Sequence, residues 1–242
     1  MNNDPPILLS VVIPAYNEEA RIGCTLERVS GYLEGRDYAA EILVVDDGSG
    51  DTTREVAGRT MAGSAVPFRL LALPANRGKG AAVREGVLAA RGEFVLFSDA
   101  DLSTPIEEAD RLLARQRETG ADAVLGSRAL PDSRITRPQG RLRQLAGKTF
   151  NRMVRLLTGL PFRDTQCGFK LFRAAVAREL FSRLEEERFA FDVEIVYRAM
   201  RRGCRVIEVP VEWADDRRSR VRFFRDSARM AVALLRIRRA KD

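Results

Sequence analysis

Glu-Phe-Val-Leu-Phe-Ser-Asp-Ala-Asp, residues 93–101, joins a short apolar run directly to two carboxylates. The apolar run predicts a central strand of a parallel sheet that is covered on both faces. Side chains two residues apart leave an extended chain on the same side, so Asp99 and Asp101 can converge on one cation. Because open α/β sheets bind ligands beyond the carboxyl ends of their strands, the pair predicts a Mg²⁺ or Mn²⁺ site that holds a diphosphate. Two solvated loop aspartates are the alternative.

The residues that follow indicate a tight loop between a strand and a helix. Thr104, Pro105 and Glu107 have the pattern of a helix cap, a first-turn proline and a capping-box acid. About one Asp-x-Asp is expected by chance in a chain with this Asp content. The position of the motif, rather than the motif alone, therefore favours a cation site.

The composition favours one α/β domain, because 242 residues, 45% of them hydrophobic, can bury a sizeable core. No stretch reaches the roughly 18 consecutive apolar residues of a membrane span. Residues 1–6 lack the basic-then-apolar order of a signal peptide, so we expect a cytoplasmic protein. The three cysteines are scattered and are expected to be reduced and structural.

Two compositional features constrain the function. The chain has no histidine, which excludes an imidazole base, a Ser-His-Asp triad and a His-ligated metal. Charge is also divided unevenly, since residues 1–133 carry 14 Lys+Arg against 21 Asp+Glu (−7) and residues 134–242 carry 27 against 13 (+14). A basic half predicts an anionic partner: nucleic acid, an anionic membrane or a phosphate-bearing substrate.

Apolar runs and helical patterns alternate through the first half of the chain. The strands are predicted at residues 8–13, 41–45, 68–73, 94–98 and 123–126. Asn17 is expected to cap the first helix, and Asp51 or Thr52 the second. Such alternation with short loops predicts a mostly parallel, doubly wound sheet with helices on both faces.

The loops at the predicted rim carry residues that suit a nucleotide. Tyr16 can stack on a base, Asp47 can accept hydrogen bonds from a base or ribose, and Lys79 can meet a phosphate. Ordinary turn chemistry is the alternative for any one loop. The Gly-x-Gly at residues 78–80 has neither the Rossmann nor the P-loop spacing, so neither dinucleotide nor kinase-type ATP binding is supported.

The second half predicts two basic amphipathic helices, within residues 134–163 and 223–237. We favour docking of these helices on an anionic membrane surface over packing on their own domain. Nucleic acid is not favoured, because the segments contain no zinc finger, RRM-like aromatic pair or helix-turn-helix.

Between and beyond those helices the pattern is less regular. Residues 162–172 are expected to bend at Gly168, and residues 173–184 to form a helix. Asp192 is a candidate N-cap for a helix ending at residue 202. Residues 206–213 predict a last strand, at a sheet edge because of its proline.

The loops resemble those of inverting family 2 glycosyltransferases with the GT-A (Rossmann-like) fold. The similar motifs are Pro14-Ala-Tyr-Asn-Glu18, Val45-Asp-Asp-Gly-Ser49, Asn76-Arg-Gly-Lys-Gly80, Asp99-Ala-Asp101 and Gly126-Ser-Arg128. Two more, Arg163-Asp-Thr-Gln-Cys-Gly-Phe-Lys-Leu-Phe172 and Phe189-Ala-Phe-Asp-Val-Glu194, resemble the dolichyl-phosphate β-glucosyltransferase branch. The dolichyl-phosphate mannosyltransferases are close to that branch.

The resemblance implies a role for each of these loops. The residues implied to contact the nucleoside are Pro14, Tyr16, Glu18 and Asp47. Lys79 would contact the donor, Asp99 and Asp101 the metal and diphosphate, and Arg128 the acceptor phosphate. Arg134, Arg137 or Arg141 would assist Arg128, while Gln166 and Asp192 are candidates for donor positioning.

The implied reaction is metal-dependent, inverting transfer of a hexose, glucose from UDP-glucose, to polyprenyl or dolichyl phosphate. A polyprenyl phosphate has a second pKa near ~6 and is largely dianionic at neutral pH, so no general base is needed and the absence of histidine fits. One alternative is a GDP-mannose donor. Another is a hydroxyl acceptor, with Asp192 or Glu194 as its base. A non-enzymatic module that binds membranes is the third.

The same interpretation divides a single GT-A domain, residues 1–242, into two working halves. Residues 1–128 would bind the nucleotide-sugar, and residues 129–242 would bind the acceptor and face the membrane. Eukaryotic members of the glucosyl branch carry an N-terminal membrane anchor, and some related bacterial enzymes carry C-terminal transmembrane helices, neither of which is expected from this sequence. The two basic amphipathic helices are the expected substitute, with the protein peripheral on the inner face of the membrane.

Overall fold

A mixed seven-stranded sheet lies at the centre of the protein, seen in a computed structural model that describes residues 5–216 and 232–238. Its spatial order is β3-β2-β1-β4-β7-β5-β8. Those strands are β1 (Leu9–Ala15), β2 (Ala40–Asp46), β3 (Phe68–Ala72), β4 (Phe94–Ser98), β5 (Ala123–Ser127), β7 (Phe169–Arg173) and β8 (Val206–Pro210). A separate pair consists of β6 (Arg134–Arg137) and β9 (Glu212–Ala214), which run parallel.

Helices cover both faces of the sheet. They are α1 (Ile22–Glu34), α2 (Thr53–Met61), α3 (Lys79–Ala89), α4 (Glu108–Thr119), α5 (Arg141–Thr158), α6 (Ala174–Ser182) and α7 (Phe191–Arg201). Successive strand residues face opposite layers, so Val95 and Phe97 join one hydrophobic cluster and Leu96 joins the other. Burial on both faces explains the continuous apolar runs, and the predicted mostly parallel sheet with helices on both faces is confirmed.

The centre of the sheet contains a strand that the sequence did not predict. Residues 162–172 were expected to bend as a loop, but β7 inserts antiparallel between β4 and β5. Its side chains alternate, with Phe169 and Leu171 in one cluster and Phe172 in the other. Lys170, which is fully buried, interrupts the apolar run, so the sequence pattern does not predict a strand here.

Three predicted helix caps are wrong. α1, α4 and α7 begin at Ile22, Glu108 and Phe191, and none has a side-chain hydrogen bond from its N-cap residue. Asn17 instead accepts a 2.8 Å hydrogen bond from the backbone N–H of Gly50. Thr104 is buried with its hydroxyl 3.6 Å from Cys167 Sγ, so tertiary contacts override the local capping pattern in these loops.

Asp192 is the third residue, after Asn17 and Thr104, whose predicted role as a helix cap is wrong. It lies inside the first turn of α7 rather than at its cap, and its carboxylate is paired with Lys170. Asp51, one of the two residues predicted to cap the second helix, does contact that helix. It accepts a 3.0 Å hydrogen bond from the Thr53 N–H at the start of α2.

The basic second half differs in detail from the prediction. Helix α5 forms, but residues 134–137, expected to be helical, are the exposed strand β6. The predicted strand at 206–213 divides into β8, at the expected sheet edge, and β9 in the other sheet. The helix predicted at 223–237 lies largely outside the described residues, but residues 232–238 are helical, with Leu234 and Ile237 buried in the core.

Within the described part of the chain, no helix is both long enough and apolar enough to span a bilayer.

Candidate active site

The sheet topology brings the polar motifs of both halves to one rim. The parallel strands β1, β2, β4 and β5 all end there. Antiparallel β7 starts at the same rim, because Phe169 pairs with Ser98 and the Asp99 N–H donates to the Gly168 carbonyl at 3.0 Å. Residues 163–168 therefore lie beside the Asp-Ala-Asp loop, although more than sixty positions separate them in sequence.

Asp99, Asp101 and Lys79 form a charged cluster at the end of β4. Lys79 Nζ lies 2.6 Å from Asp99 Oδ1, with the two side chains 21% and 30% exposed. Asp101 accepts a 2.9 Å hydrogen bond from the Ser103 N–H. Burial, together with the neighbouring charge of Asp99, raises the pKa of Asp101. The cluster thus holds two close carboxylates that repel each other and one ammonium that offsets them.

The two carboxylates fit a divalent ion. Asp99 Oδ1 is buried and, apart from its ion pair with Lys79, accepts no well-oriented hydrogen bond from the described residues. Carboxylate oxygens are the ligands that Mg²⁺ and Mn²⁺ prefer. Residues 5–216 and 232–238 contain no group of three or more acidic or thiol side chains arranged to hold a metal. Mg²⁺ is commonly bound through one or two carboxylates, with substrate phosphate oxygens and water as its other ligands.

Asp47 organises the loop that carries Lys79. Its carboxylate accepts hydrogen bonds of 2.8 Å from the backbone N–H groups of Arg77 and Gly78, and one of 2.9 Å from the Asn76 amide. Burial raises the pKa of Asp47, while the two backbone donors oppose the rise. The predicted nucleoside contact of Asp47 stays a prediction, and its observed role is to link the loops after β2 and β3.

The same loop is pressed against the turn that precedes α7. A Cβ at Gly78 would lie 2.5 Å from the Glu187 carbonyl oxygen, and a Cβ at Gly80 would lie 2.5 Å from that of Glu186. The Ala81 N–H donates to the Glu187 carbonyl at 3.0 Å. The two glycines are therefore needed for close backbone packing, which fixes the backbone on both sides of Lys79.

Glu194 holds that turn in place. Its carboxylate accepts from the backbone N–H groups of Glu185 and Glu186 at 3.0 and 2.7 Å, and from Arg198 Nε at 2.7 Å. Glu194 is 2% exposed. Because both oxygens are engaged inside the protein, Glu194 is placed as a structural residue, and the hypothesis that it serves as a general base is not supported.

The rim at the end of β1 presents one exposed ring. Pro14 is buried in β1, while Tyr16 is 42% exposed. Glu18 is bound by Arg21, with 2.6 Å from Arg21 Nη2 to Glu18 Oε1, and Arg21 also contacts Asp216 at 2.9 Å. Tyr16 is thus accessible for stacking, whereas the Glu18 carboxylate is held by a neighbouring guanidinium.

Two residues in these loops adopt a left-handed backbone without being glycine. Asn17 has a φ of 54° and Leu102 has a φ of 46°. They are the only such residues in the described ranges, and they follow the rim ends of β1 and β4. Such conformations are costly, particularly for leucine, and commonly accompany functional loops.

Arg128 is paired with Asp164 at the end of β5. Two guanidinium nitrogens, Nε and Nη2, donate to Asp164 at 2.6 and 2.9 Å, and the Arg128 backbone N–H donates at 3.0 Å. The ring of Trp213 lies 5.5 Å from the guanidinium carbon. Burial alone would raise the pKa of Asp164, but the Arg128 charge and these hydrogen bonds outweigh it and lower the pKa.

A buried ion pair lies beneath the charged cluster. Lys170 and Asp192 form a salt bridge with side chains 1% and 5% exposed, and Lys170 Nζ also donates to the Cys167 carbonyl at 2.6 Å. Burial raises the pKa of Asp192, while the charges of Lys170 and Lys79 oppose the rise. Both ammonium groups lie near the Phe97 ring, at 5.1 Å for Lys79 and 5.6 Å for Lys170.

The remaining predicted residues are distributed around this centre. Gln166 is half-buried, and its backbone N–H donates to Asp164 at 3.1 Å. Arg134 and Arg137 are exposed on β6, while Arg141 begins α5.

Sequence reasoning missed three residues that shape the site. Asp164 was not singled out because its partner Arg128 is distant in sequence, and the sequence did not indicate that Arg21 joins the nearby Glu18 to the distant Asp216. Lys170 had a usable signal, since a lysine alternating with buried residues in Phe-Lys-Leu-Phe needs a buried counter-charge.

Comparison with known proteins identifies the class of protein as a glycosyltransferase. The profile of "Glycosyl transferase family 2" matches residues 10–181, and the chain belongs to this family. The predicted resemblance to the family is thereby confirmed.

Two of the similar proteins are dolichyl-phosphate β-glucosyltransferases. A Drosophila melanogaster dolichyl-phosphate β-glucosyltransferase is 38% identical over 226 residues, covering 89% of this chain and 69% of the relative. The Homo sapiens protein of that description is 35% identical over 252 residues, covering 98% of this chain and 76% of the relative.

Solved structures confirm the architecture. Glucosyl-3-phosphoglycerate synthase from Mycobacterium tuberculosis in complex with phosphoglyceric acid aligns with a TM-score of 0.72 and 23% identity, covering 98% of this chain and 81% of that one. The same enzyme in complex with Mn²⁺, UDP and glucosyl-3-phosphoglycerate gives 0.71 and 22%, with coverage of 98% and 81%. At these identities the similarity establishes the fold.

Proposed function

We propose that this glycosyltransferase performs metal-dependent, inverting transfer of glucose from UDP-glucose to dolichyl or polyprenyl phosphate. The supporting observation is the cluster of Lys79, Asp99 and Asp101 at one rim beside the paired Arg128 and Asp164. Identities of 38% and 35% to dolichyl-phosphate β-glucosyltransferases support the choice of donor sugar and acceptor.

The donor is proposed to lie across the ends of β1, β2 and β4. Tyr16 stacks on the base, next to Pro14 and Glu18, and Asp47 borders the ribose. Lys79 faces the diphosphate, and the half-buried Gln166 borders the sugar. A divalent ion held by Asp99 and Asp101 would supply positive charge to the leaving diphosphate.

Arg128 is proposed to bind the acceptor phosphate. Asp164 engages Nε and Nη2, and Nη1 makes no hydrogen bond to the described residues. The guanidinium is therefore held in one orientation with one nitrogen available. Asp164 also neutralises the charge of Arg128, so the acceptor phosphate would be held without a large excess of positive charge.

The transfer needs no proton acceptor. An oxygen of the acceptor phosphate dianion attacks C1 of the glucose, and the bond from C1 to the UDP oxygen breaks with its electron pair leaving on UDP. Inversion at C1 converts the α-linked donor into a β-linked product. Because Lys170 holds Asp192 in a buried pair, we propose that Asp192 supports Lys79 electrostatically and does not act as a base.

The outer face of α5 is proposed to contact an anionic membrane. Leu142, Leu145 and Leu156 are 85%, 63% and 78% exposed. On a helix these positions share one face, which also carries the exposed Lys148, Arg152 and Arg155. The opposite face packs on the core through Phe150 and Val154. Leucines interleaved with cations on a solvent-facing helix suit the boundary between acyl chains and anionic headgroups.

The experiment is a donor and acceptor panel with purified protein. UDP-glucose, UDP-galactose and GDP-mannose are each incubated with Mn²⁺ and dolichyl phosphate in detergent, with a long-chain alcohol, or with no acceptor. We expect nucleotide release with UDP-glucose and dolichyl phosphate. Preference for GDP-mannose would contradict the proposed donor, and turnover with the alcohol would contradict the proposed acceptor class. No turnover with any pair would contradict the proposed activity.

A further inference from the structure

Lys79 occupies a position that conflicts with its expected role toward a donor. Its ammonium is 2.6 Å from Asp99 Oδ1, one of the oxygens proposed to hold the divalent ion. Asp192, the other carboxylate that acts strongly on it, is already paired with Lys170. Asp99 is therefore the direct counter-ion of Lys79.

An ammonium and a divalent ion on the same carboxylate repel each other and compete for its oxygens. The backbone around Lys79 is closely packed, because Gly78 and Gly80 lie against the Glu187 and Glu186 carbonyls. The flexible lysine side chain is the part that can move. An adjacent diphosphate, with its negative charges, is the partner that would draw it away from Asp99.

We propose that Lys79 is an exchangeable counter-ion, which neutralises Asp99 until a nucleotide diphosphate and a divalent ion bind together and then transfers to the diphosphate. This inference rests on the proposed metal site at Asp99 and Asp101. It makes metal and nucleotide binding interdependent. By thermodynamic linkage, the factor by which UDP tightens metal binding equals the factor by which the metal tightens UDP binding.

Substitution of Lys79 is expected to increase, rather than decrease, the affinity of the protein for Mn²⁺. Removing a residue that contacts the donor would ordinarily lower the affinity of the site for every ligand. Here, K79M removes the competitor for Asp99, so the protein alone should bind Mn²⁺ more tightly than the wild type. At the same time, UDP should tighten Mn²⁺ binding by a smaller factor than in the wild type, because the diphosphate still supplies ligands to the ion but no longer displaces a competing ammonium.

The test measures Mn²⁺ binding by electron paramagnetic resonance, with and without UDP, which requires no turnover. We expect K79M to bind Mn²⁺ without UDP at least about tenfold more tightly than the wild type, and the factor by which UDP tightens Mn²⁺ binding to be smaller than in the wild type by a similar amount. K79R keeps the positive charge and should behave like the wild type. R115M, which removes one exposed cation on α4, is the matched control and should also match the wild type.

The outcomes separate this inference from the proposed function. If D99N retains Mn²⁺ binding in the presence of UDP, the metal site itself is wrong and the exchange is overturned with it. If D99N loses Mn²⁺ but K79M binds it no more tightly than the wild type without UDP, only the exchange is overturned. Melting temperatures of each variant confirm that the comparison is made between folded proteins.

Discussion

The Asp99 carboxylate lies directly against the Cα of Gly168, so that a Cβ at Gly168 would be 1.9 Å from Asp99 Oδ2 and 2.2 Å from its Cγ. The two residues are also joined through the backbone, where the Asp99 N–H donates to the Gly168 carbonyl at 3.0 Å. A side chain at this position, immediately before β7, therefore requires the Asp99 carboxylate to shift, and the preference for glycine arises from that carboxylate rather than from backbone conformation.

We predict that G168A displaces the Asp99 carboxylate and weakens Mn²⁺ binding in the presence of UDP. The expected loss is about tenfold or more, the range for changes that reorient a metal ligand. The matched control is G58A, in helix α2, where an added Cβ meets no atom within 4 Å. It should leave Mn²⁺ binding unchanged and increase stability by about 0.5–1 kcal/mol. Mn²⁺ affinity in G168A equal to that of the wild type would refute the proposed geometry.

The buried pair of Lys170 and Asp192 separates a structural role from a catalytic one. K170M or D192N alone leaves an uncompensated buried charge or an unsatisfied partner, so each should lower the unfolding free energy by about 3–5 kcal/mol. The double variant K170M/D192N should recover much of this loss. Denaturant unfolding and glucosyl transfer are measured on all four proteins.

We expect the double variant to recover most of the transfer along with stability, because Asp192 is proposed not to accept a proton, and to keep a smaller deficit from the lost electrostatic support of Lys79. A double variant that is stable but transfers no glucose would instead place Asp192 in the chemistry.

Asp164 should make stability depend on pH through its pair with Arg128. Its pKa in the folded protein is below the ordinary value of about 3.9. A lowered carboxyl pKa contributes stability that is complete above the unfolded pKa and lost as the pH falls through the folded pKa. The stability difference between wild type and D164N should therefore be constant above about pH 5 and should shrink below about pH 4.

Thermal denaturation between pH 3 and pH 7 measures this difference. D132N, an equivalent change at an exposed loop aspartate, should follow the wild type over the whole range. A difference between wild type and D164N that does not change with pH would rule out the ionised pair as its source.

The outer face of α5 predicts binding to acidic vesicles. L142A/L156A removes two exposed leucines, each worth up to about 1.5–3 kcal/mol if fully buried in the bilayer, so vesicle partitioning should fall about tenfold or more. L88A changes a leucine that is 38% exposed on α3 and should leave partitioning unaltered. Sedimentation with phosphatidylserine vesicles measures the effect, and binding should weaken as salt rises. If L142A/L156A sediments with the vesicles to the same extent as L88A and the wild type, either another surface binds the membrane or no surface does.

The parts of the fold that the sequence predicted are those encoded by local patterns. The run at 94–98 gave a strand with carboxylates at its end because burial on both faces leaves an unbroken apolar signal. Strand β7 was missed because Lys170 breaks that signal, and its counter-charge is twenty-two residues away. The caps at Asn17 and Thr104 failed for a related reason, since partners from other loops engage both side chains.

The candidate site was predicted to a similar degree. The resemblance identified which loops meet, and the sheet topology places those loops at one rim. The pairing of Arg128 with Asp164 and of Lys79 with Asp99 depends on distances between different loops and helix ends that are separated in sequence. No spacing rule supplies those distances, so the ionic partners became visible only in the folded structure.

The central claim is that Asp99 and Asp101 enable transfer of glucose to a lipid phosphate. The most direct measurement follows radiolabelled glucose from UDP-glucose into the organic phase, with dolichyl phosphate and Mn²⁺ present. The account predicts labelled, β-linked glycolipid from the wild type and from D132N, and a loss of about a hundredfold or more from D99N and from D101N. Labelled lipid formed by D99N and D101N at the wild-type rate would contradict it.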